Sequence, residues 1–317
     1  MNSRNPDLHD VANEAMLEWD IPGIVAELRT LRDASLAGRA RRDKPPKLPS
    51  RKALIDILDS LRATLFPNRL GQSALTNEGV DYFVGHTLDA ALRELLEQVN
   101  LELKFAAFQD NRRDAFRAQA IAITHRFAQA LPGIRQLLEA DLAAAYAGDP
   151  AARSIDEILV CYPGMTAITY HRFAHELHGL GVPLIARMVA EISHSATGID
   201  IHPGAQIGPS FFIDHGTGVV IGETARIGER VRLYQAVTLG AKRFEADAKG
   251  ELVKGNARHP IIEDDVVVYA GATILGRITI GKGSVIGGNV WLTHSVPPGS
   301  HVAQTQFTNQ PVSSDSA

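Results

Sequence analysis

Large aliphatic residues recur at every sixth position along the C-terminal third of the chain. From Ile262 the series runs unbroken to Leu292, and an earlier series starts at Ile201 and contains one eight-residue step after Ile213. A helix places apolar residues every three or four positions and a half-buried strand every second one, so a period of six fits neither. The pattern predicts a solenoid of short strands with one side chain per strand in a narrow axial core. The aliphatic positions are Ile201, Ile207, Ile213, Ile221, Ile227, Leu233, Leu239, Ile262, Val268, Ile274, Ile280, Ile286 and Leu292.

The sequence before this repeat has helical periodicity. Apolar stripes at three- and four-residue spacing run through residues 52–146, and two more helices are predicted at residues 165–177 and 183–195. The pairs Pro67-Asn68 and Pro132-Gly133 are interpreted as turns between helices. Amphipathic segments of this length bury their apolar faces against one another, which predicts an all-α domain. The fold class is therefore α+β, with an all-helical N-terminal domain followed by a parallel β-helix.

We place the helical domain at residues 1–195 and the β-helix at residues 196–300. Residues 1–50 are an extension that holds a basic, proline-rich linker. The segment 241–257 is too polar to line an axial core, and insertions in solenoids often carry function, so it predicts a loop over a binding site. Residues 301–317 are polar and rich in serine, which predicts a disordered tail.

Composition narrows the class of protein. The chain has 317 residues, of which 45% are hydrophobic and 21% charged, as is usual for a globular protein. Its net charge of −4 gives no reason to expect nucleic acid or an anionic membrane as a partner. Cys161 is the single cysteine, so no intrachain disulfide can form. With no apolar signal segment near Met1 and no apolar run of about 18 residues, we expect a cytoplasmic protein.

Polar groups interrupt the repeat at three places. Asp200-Ile201-His202-Pro203 opens the first coil, Asp214-His215 falls in the eight-residue step, and Arg258-His259-Pro260 closes the polar loop. A histidine beside a carboxylate can act as a general base, because the carboxylate fixes its tautomer and stabilises the imidazolium. Aspartate and histidine are also ordinary turn residues. Several such groups in one solenoid favour a functional site.

One histidine series has the spacing of a metal site. His171, His175 and His178 share a helix face because they follow i, i+4, i+7 spacing. Zinc could use such a set, but the segment lacks the HExxH form. We therefore interpret it as a polar helix edge that faces the β-helix or solvent.

The motifs DIHPGAQIG, starting at Asp200, and IDHGTGVVIGETA, starting at Ile213, together with the RHP triplet at Arg258, resemble the serine O-acetyltransferase family of hexapeptide-repeat acyltransferases. The resemblance covers roughly residues 141–299. It implies a left-handed β-helix and the transfer of acetyl from acetyl-CoA to the hydroxyl of L-serine, giving O-acetyl-L-serine and CoA in cysteine biosynthesis.

The resemblance also implies three groups of site residues. The catalytic pair is His215, the base that deprotonates the serine hydroxyl, and Asp200, its carboxylate partner. The substrate-binding residues are Asp149, Asp214, Arg258 and His259. The residues that hold acetyl-CoA, largely by backbone groups, are Gly240, Ala270, Gly271 and Ala272.

Physical chemistry agrees with these roles. Free serine is a zwitterion, so its site needs carboxylates at one end and a cation at the other. Asp149 and Asp214 supply the first, and Arg258 supplies the second. The thioester brings its own activation, so we expect no metal.

The family also implies partners. Its active site lies between neighbouring β-helices of a trimer, so we expect a homotrimer or a dimer of trimers. Family members that dock into O-acetylserine sulfhydrylase typically end in isoleucine, whereas this sequence ends in Ala317. We therefore expect no complex with the sulfhydrylase of the usual kind.

Three alternatives stay open. A hexapeptide O-acetyltransferase that acts on a sugar or another amino alcohol would share the fold and the histidine base. A metal enzyme resembling the γ-class carbonic anhydrases would need an HxxxxH pair, which this repeat lacks. A non-catalytic trimeric scaffold would leave the polar groups at the corners without a purpose.

Overall fold

The computed structural model describes residues 19–38, 46–71, 76–110, 116–243 and 250–304, without the side chains of residues 36–38 and 77–78. The chain divides into two units, residues 1–46 and residues 47–317. In the first unit the structure describes helix α1 (Ile21–Gly38). Part of the predicted linker, residues 39–45, lies outside the described residues.

Helices make up the first half of the second unit. Within the described residues they are α2 (Arg51–Leu65), α3 (Pro67–Leu70), α4 (Asn77–Gln109), α5 (Arg117–Gly148), α6 (Ile155–Cys161), α7 (Pro163–Gly179) and α8 (Pro183–Thr197). The side chains of Ser50 and Thr76 cap the N-termini of α2 and α4 by accepting a backbone N–H. The described part of the chain contains no helix with the length and apolar character that crossing a membrane requires.

Pro132 lies inside α5, so the interpretation of Pro132-Gly133 as a turn was wrong. A proline within a helix removes one backbone hydrogen bond and costs about 3 kcal/mol or more. The apolar stripe nevertheless stays in phase across it, because Phe127, Leu131, Ile134 and Leu138 are all buried. Burial of this uninterrupted stripe keeps the helix intact.

The repeat folds as a parallel β-helix with three faces, as the period predicted. Face A contains β1 (Asp200–Ile201), β4 (Val220–Ile221), β7 (Thr238–Gly240), β10 (Thr273–Leu275) and β13 (Trp291–Leu292). Face B contains β2 (Gln206–Ile207), β5 (Arg226–Ile227), β8 (Ile261–Ile262) and β11 (Thr279–Ile280). Face C contains β3 (Phe212–Ile213), β6 (Arg232–Leu233), β9 (Val267–Val268), β12 (Val285–Ile286) and β14 (His301–Val302).

The aliphatic residues of the six-residue series form the axial core. On face A, Ile201 pairs in register with Ile221, and Ile221 with Leu239. Every member of the series is buried except Ile207, which is half-buried and packs against the core. Each strand therefore points one large side chain inward, and the register of the coils follows from the sequence period.

The ends of the β-helix differ slightly from the expected boundaries. Helix α8 continues to Thr197, two residues past the predicted end of the helical domain. The prediction of a disordered tail from residue 301 was wrong at its start, because β14 pairs in parallel with β12, with His301 opposite Val285. Residues 305–317 lie outside the described residues.

Between β7 and β8 the chain leaves the coil, which agrees with the predicted loop 241–257, of which residues 244–249 are not described.

A buried ion pair joins the helices to the first coil. The Arg172 guanidinium on α7 donates to both carboxylate oxygens of Asp141 on α5, at 2.7 and 2.9 Å. The backbone N–H of Phe211 donates to the same carboxylate at 2.9 Å, and Arg172 also donates to the carbonyls of Ile207 and Gly208. This pair fixes the position of the first coil relative to both helices.

Candidate active site

The predicted site residues of the β-helix fall at two of its corners. The His215 corner contains the turns from face C to face A, and the His259 corner contains the turns from face A to face B. The predicted residues at the His215 corner are Asp214, His215, Ala270, Gly271 and Ala272. Those at the end of β7 and at the His259 corner are Gly240, Arg258 and His259.

His215 stands out from a tight turn. Its backbone has the left-handed φ of 58°, which is unfavourable for a residue with a side chain, and Gly216 follows at φ 90°. A Cβ on Gly216 would lie 2.4 Å from Ile199 Cδ1, so only glycine fits. The eight-residue step thus forms a compressed bulge that leaves the imidazole 71% exposed. Its Nδ1 lies 3.8 Å from Oδ1 of Asp214, whose side chain is only 14% exposed.

Asp149 caps the C-terminus of α5 and is held by Tyr162. The Tyr162 hydroxyl donates to Asp149 Oδ2 at 2.6 Å, and the N–H of Ala151 donates to Oδ1 at 2.8 Å. The hydrogen bonds from the Tyr162 hydroxyl and the Ala151 N–H lower the pKa of Asp149, and the nearby Arg232 guanidinium and His215 side chain add to this effect. Asp149 therefore presents an ionised carboxylate at neutral pH.

The pKa of Tyr162 also depends on Asp149 and Asp214, which shows that these groups lie close to one another. The hydrogen bond to Asp149, burial, and the negative charges of Asp149, Glu157 and Asp214 raise the pKa of Tyr162 to about 12. The structure thus brings Asp149, Asp214 and His215 together, with Tyr162 among them. Tyr162 was missed by the sequence analysis, in which its one signal was its place directly before Pro163, where α7 begins.

Asp200 is not bonded to His215. Among the described residues the two side chains share no hydrogen bond, and the carboxylate of Asp200 instead lies near Glu191 and His194 of α8. Asp200 opens β1, which pairs with β4, and the His215 turn leads directly into β4. The pairing of Asp200 with His215 stays a prediction.

At the His259 corner, Arg258 is paired with a carboxylate. Its Nη2 donates to Glu223 Oε2 at 2.7 Å. The hydroxyl oxygen of Thr224 accepts from the backbone N–H groups of Arg258 and His259 at 3.0 and 3.1 Å, which pins the end of the long loop to the coil below. Glu223 was not singled out from the sequence, although it lies in the GETA part of a quoted motif.

His259 is buried and neutral. Burial first, and then the positive charge of Arg258, lowers the pKa of His259 to about 4. Its Nδ1 accepts from the Thr224 N–H at 3.1 Å. A Cβ on Gly222 would lie 2.0 Å from the ring of His259, so the glycine of the GETA motif is what admits the imidazole.

The predicted acetyl-CoA residues at the His215 corner are partly engaged within the coil. The Gly271 N–H donates to the Gln235 carbonyl at 3.0 Å, and the Ala270 carbonyl accepts from the Asn289 N–H at 2.8 Å. The side chain of Ala272 is fully buried. At the same corner, Tyr234 and Tyr269 stack with ring centroids 5.0 Å apart.

His175 and His178 of α7 lie against the first coil of the β-helix, in line with our interpretation, whereas His171 is buried and is not at a polar edge. His175 Nδ1 lies 2.9 Å from the Pro203 carbonyl, and the His178 ring lies 6.1 Å from that of His202. His171 is buried, which lowers its pKa well below the usual range. In the part of the chain that the structure describes, these three histidines do not bring three ligand atoms together.

Comparisons with known proteins agree on one class. Residues 259–294 match the family model "Bacterial transferase hexapeptide (six repeats)". A plasmid-encoded serine acetyltransferase of Synechococcus elongatus is 57% identical over 298 residues, which is 93% of each chain. Serine acetyltransferase 1 of Entamoeba histolytica, solved in complex with L-cysteine, is 38% identical with a TM-score of 0.69 and covers 83% of this chain and 90% of its own. The soybean serine acetyltransferase complexed with serine is 30% identical with a TM-score of 0.51, covering 78% and 95%.

Proposed function

The chain belongs to the serine acetyltransferases and is a serine O-acetyltransferase, and we propose that its active site is completed only when a second copy of the chain joins the first. One observation carries this proposal: the residues for the substrate ammonium and those for its carboxylate lie at opposite edges of face A. A six-residue side of the coil spans up to about 20 Å, whereas the charged groups of serine are only a few ångströms apart. We infer from this separation that one serine does not reach both corners of one chain, and that the second corner belongs to a neighbouring copy.

The His215 corner supplies the ammonium half of the site. The carboxylates of Asp149 and Asp214 lie beside His215, and a substrate ammonium between them gains two charge-assisted hydrogen bonds. This position leaves the serine hydroxyl facing the exposed imidazole. His215 takes the hydroxyl proton as the alkoxide forms its bond to the thioester carbonyl carbon, and the departing CoA thiolate receives that proton. Asp200 is proposed to stabilise the imidazolium that exists between these two transfers.

The His259 corner of the neighbouring copy supplies the carboxylate half. Arg258 has a guanidinium that is now shared with Glu223 and can turn one edge toward a substrate carboxylate. His259 is neutral, so it contributes a hydrogen bond from Nε2 rather than a second charge. Acetyl-CoA is proposed to lie along the groove between the two copies, contacting Gly240 of one and the Ala270-Gly271-Ala272 turn of the other.

A closed ring of subunits places the His215 corner of each chain against the His259 corner of its neighbour. The two corners are different surfaces, so the contact is head-to-tail and must either close by rotation or continue as a filament. Face A lies between both corners and would face the ring axis. It exposes apolar side chains there, Val220 and the 69% exposed Trp291. We propose a homotrimer, or a dimer of trimers, of left-handed β-helices. The cytoplasmic location and the lack of a usual sulfhydrylase complex stay predictions.

The test is acetyl-CoA turnover with a panel of acceptors. We expect L-serine to support CoA release, and the Arg258→Ala variant to lose at least about 10-fold in kcat/KM for serine, since a charged hydrogen bond contributes about 1.5–3 kcal/mol. A sugar acceptor that outperformed serine would favour the alternative acetyltransferase and remove the roles of Asp149 and Arg258. A purified protein that is inactive with every acceptor would favour the scaffold.

Tyr162 provides a separate prediction. The Tyr162→Phe variant loses the hydroxyl that orients and stabilises the Asp149 carboxylate, so we expect the KM for L-serine to rise by about 3–10-fold, with kcat and the KM for acetyl-CoA nearly unchanged. The exposed Tyr82 offers a matched control, since Tyr82→Phe should leave all constants unchanged. Equal serine KM values for both variants would show that Tyr162 does not support Asp149.

A further inference from the structure

A second group of chemically active side chains lies where the last helix meets the first coil. Glu191 and His194 of α8 and Asp200 of β1 each offer one ligand atom, and these three atoms lie within 4.8 Å of one another. His194 Nδ1 is 3.6 Å from Glu191 Oε2. We propose that Glu191, His194 and Asp200 form an inhibitory binding site for a divalent transition-metal ion such as zinc.

The spacing suits such an ion. Because no two of the three ligand atoms are more than 4.8 Å apart, a central ion can lie within about 2.8 Å of each of them. Zinc binds imidazole nitrogen and carboxylate oxygen at about 2.0–2.2 Å, so small rotations of exposed side chains complete the contacts. One nitrogen and two oxygens also match the ligand preference of zinc and similar ions, with water in the fourth position.

The ligands stand on fixed elements. Glu191 and His194 are one helical turn apart and share a face of α8. The start of that helix is anchored by the buried Glu102, which accepts from the N–H groups of Leu184 and Ile185 at 2.8 Å each. Asp200 is held in the ladder by its own N–H, which donates to the Val219 carbonyl at 2.9 Å. The ion would therefore bind without ordering a flexible segment.

The charges around the cluster also favour a cation. Arg187 pairs with Glu191 through Oε1 at 2.9 Å, while Oε2 faces His194. The cluster keeps a net negative charge, because it holds the two carboxylates of Glu191 and Asp200 against the one guanidinium of Arg187. His194 lies in the last turn of α8, and the C-terminal end of a helix carries partial negative charge.

Inhibition follows from the shared role of Asp200, and this part rests on the proposed function. A carboxylate that is bound to an ion cannot also stabilise the imidazolium of His215. The ion would thus slow acetyl transfer without being needed for it. Glu191 and His194 have no place in the proposed chemistry, so replacing them should remove the inhibition and spare the activity.

The experiment compares zinc binding and turnover in chelator-treated full-length protein. Isothermal titration with zinc chloride should give one ion per chain for the wild type, with affinity at least about 10-fold weaker for His194→Gln and Glu191→Gln. His125→Gln, an exposed histidine on α5, is the matched control and should bind like the wild type. Turnover is followed by loss of the thioester absorbance, because the released CoA thiol itself binds zinc. Zinc should inhibit the wild type and His125→Gln, and a chelator should restore both.

Unchanged zinc affinity in His194→Gln and Glu191→Gln, or no binding by the wild type, would overturn the site. Binding at these residues without loss of turnover would overturn the inhibitory role. An enzyme that fails to acetylate serine even without metal would contradict the proposed function instead, and the calorimetric result would still decide whether the site exists.

Discussion

Replacing His215 with asparagine should lower kcat for the acetylation of L-serine by about 10²–10⁴-fold, the usual contribution of a positioned general base. A serine hydroxyl is a poor nucleophile at neutral pH, and His215 is the exposed imidazole beside the two carboxylates Asp149 and Asp214. The KM for serine should change little, because the ammonium and carboxylate contacts remain. Both kcat and the KM for serine are measured by steady-state kinetics in which the release of CoA is followed.

Asparagine is the appropriate replacement because of the backbone. His215 has a φ of 58°, a conformation that asparagine adopts more readily than alanine. The variant should therefore keep the bulge and the melting temperature of the wild type. His301→Asn, at an exposed histidine on face C, is the matched control and should retain full activity. A folded His215→Asn enzyme with a kcat within a few-fold of the wild type would show that another group accepts the proton.

The second large effect concerns stability. Replacing Asp141 with alanine should lower the free energy of unfolding by about 3–5 kcal/mol, because it leaves the Arg172 guanidinium buried and unpaired. Arg172 cannot escape this cost by losing its proton. The alanine also removes the acceptor for the Phe211 N–H, so the first coil loses an anchor on α5. Chemical denaturation followed by circular dichroism measures the change.

Two controls separate the charge from the lost volume. Asp89→Ala breaks the Arg93–Asp89 pair, whose side chains are mostly exposed, and should cost no more than about 1 kcal/mol. The double variant Asp141→Leu with Arg172→Met replaces the buried pair by apolar side chains and should recover most of the loss. A double variant as unstable as Asp141→Ala would contradict the unpaired charge as the main cause, and would assign the loss to hydrogen bonds with the first coil, namely the Phe211 N–H bond to Asp141 and the Arg172 bonds to the Ile207 and Gly208 carbonyls.

The β-helix could be predicted from sequence because its rule is local. Each side of the coil consists of a two-residue strand and a four-residue turn and buries one aliphatic side chain. This geometry imposes a period of six, and each aliphatic member of the series points inward. The eight-residue step after Ile213 likewise indicated the bulge that carries His215. The turn predicted at Pro132 was wrong because the cost of a proline inside a helix is outweighed by the burial of an apolar stripe. The sequence alone does not quantify that burial, which involves Phe127, Leu131, Ile134 and Leu138.

The candidate site was only partly visible in the sequence. The quoted motifs contain Asp214 and His215, the family resemblance added Asp149, and the structure brings the three together. Tyr162 has no motif of its own, and its role depends on how α5 and α7 meet in space. The motifs also gave no distance between Asp214 and Arg258, which lie at opposite edges of face A. This separation depends on the corner of the coil at which each residue lies, and a motif does not specify that corner.

The most direct test mixes two impaired chains, each of which lacks one half of the proposed site. Co-expression of His215→Asn chains with Arg258→Ala chains should restore activity, since one copy supplies His215 and its neighbour supplies Arg258. Random mixing in a closed ring makes about one quarter of all sites intact, so we expect about one quarter of the wild-type kcat/KM for L-serine, per site, in the co-expressed protein as a whole. Mixed oligomers no more active than the two variants alone would mean that each site lies within one chain, which would contradict the shared active site.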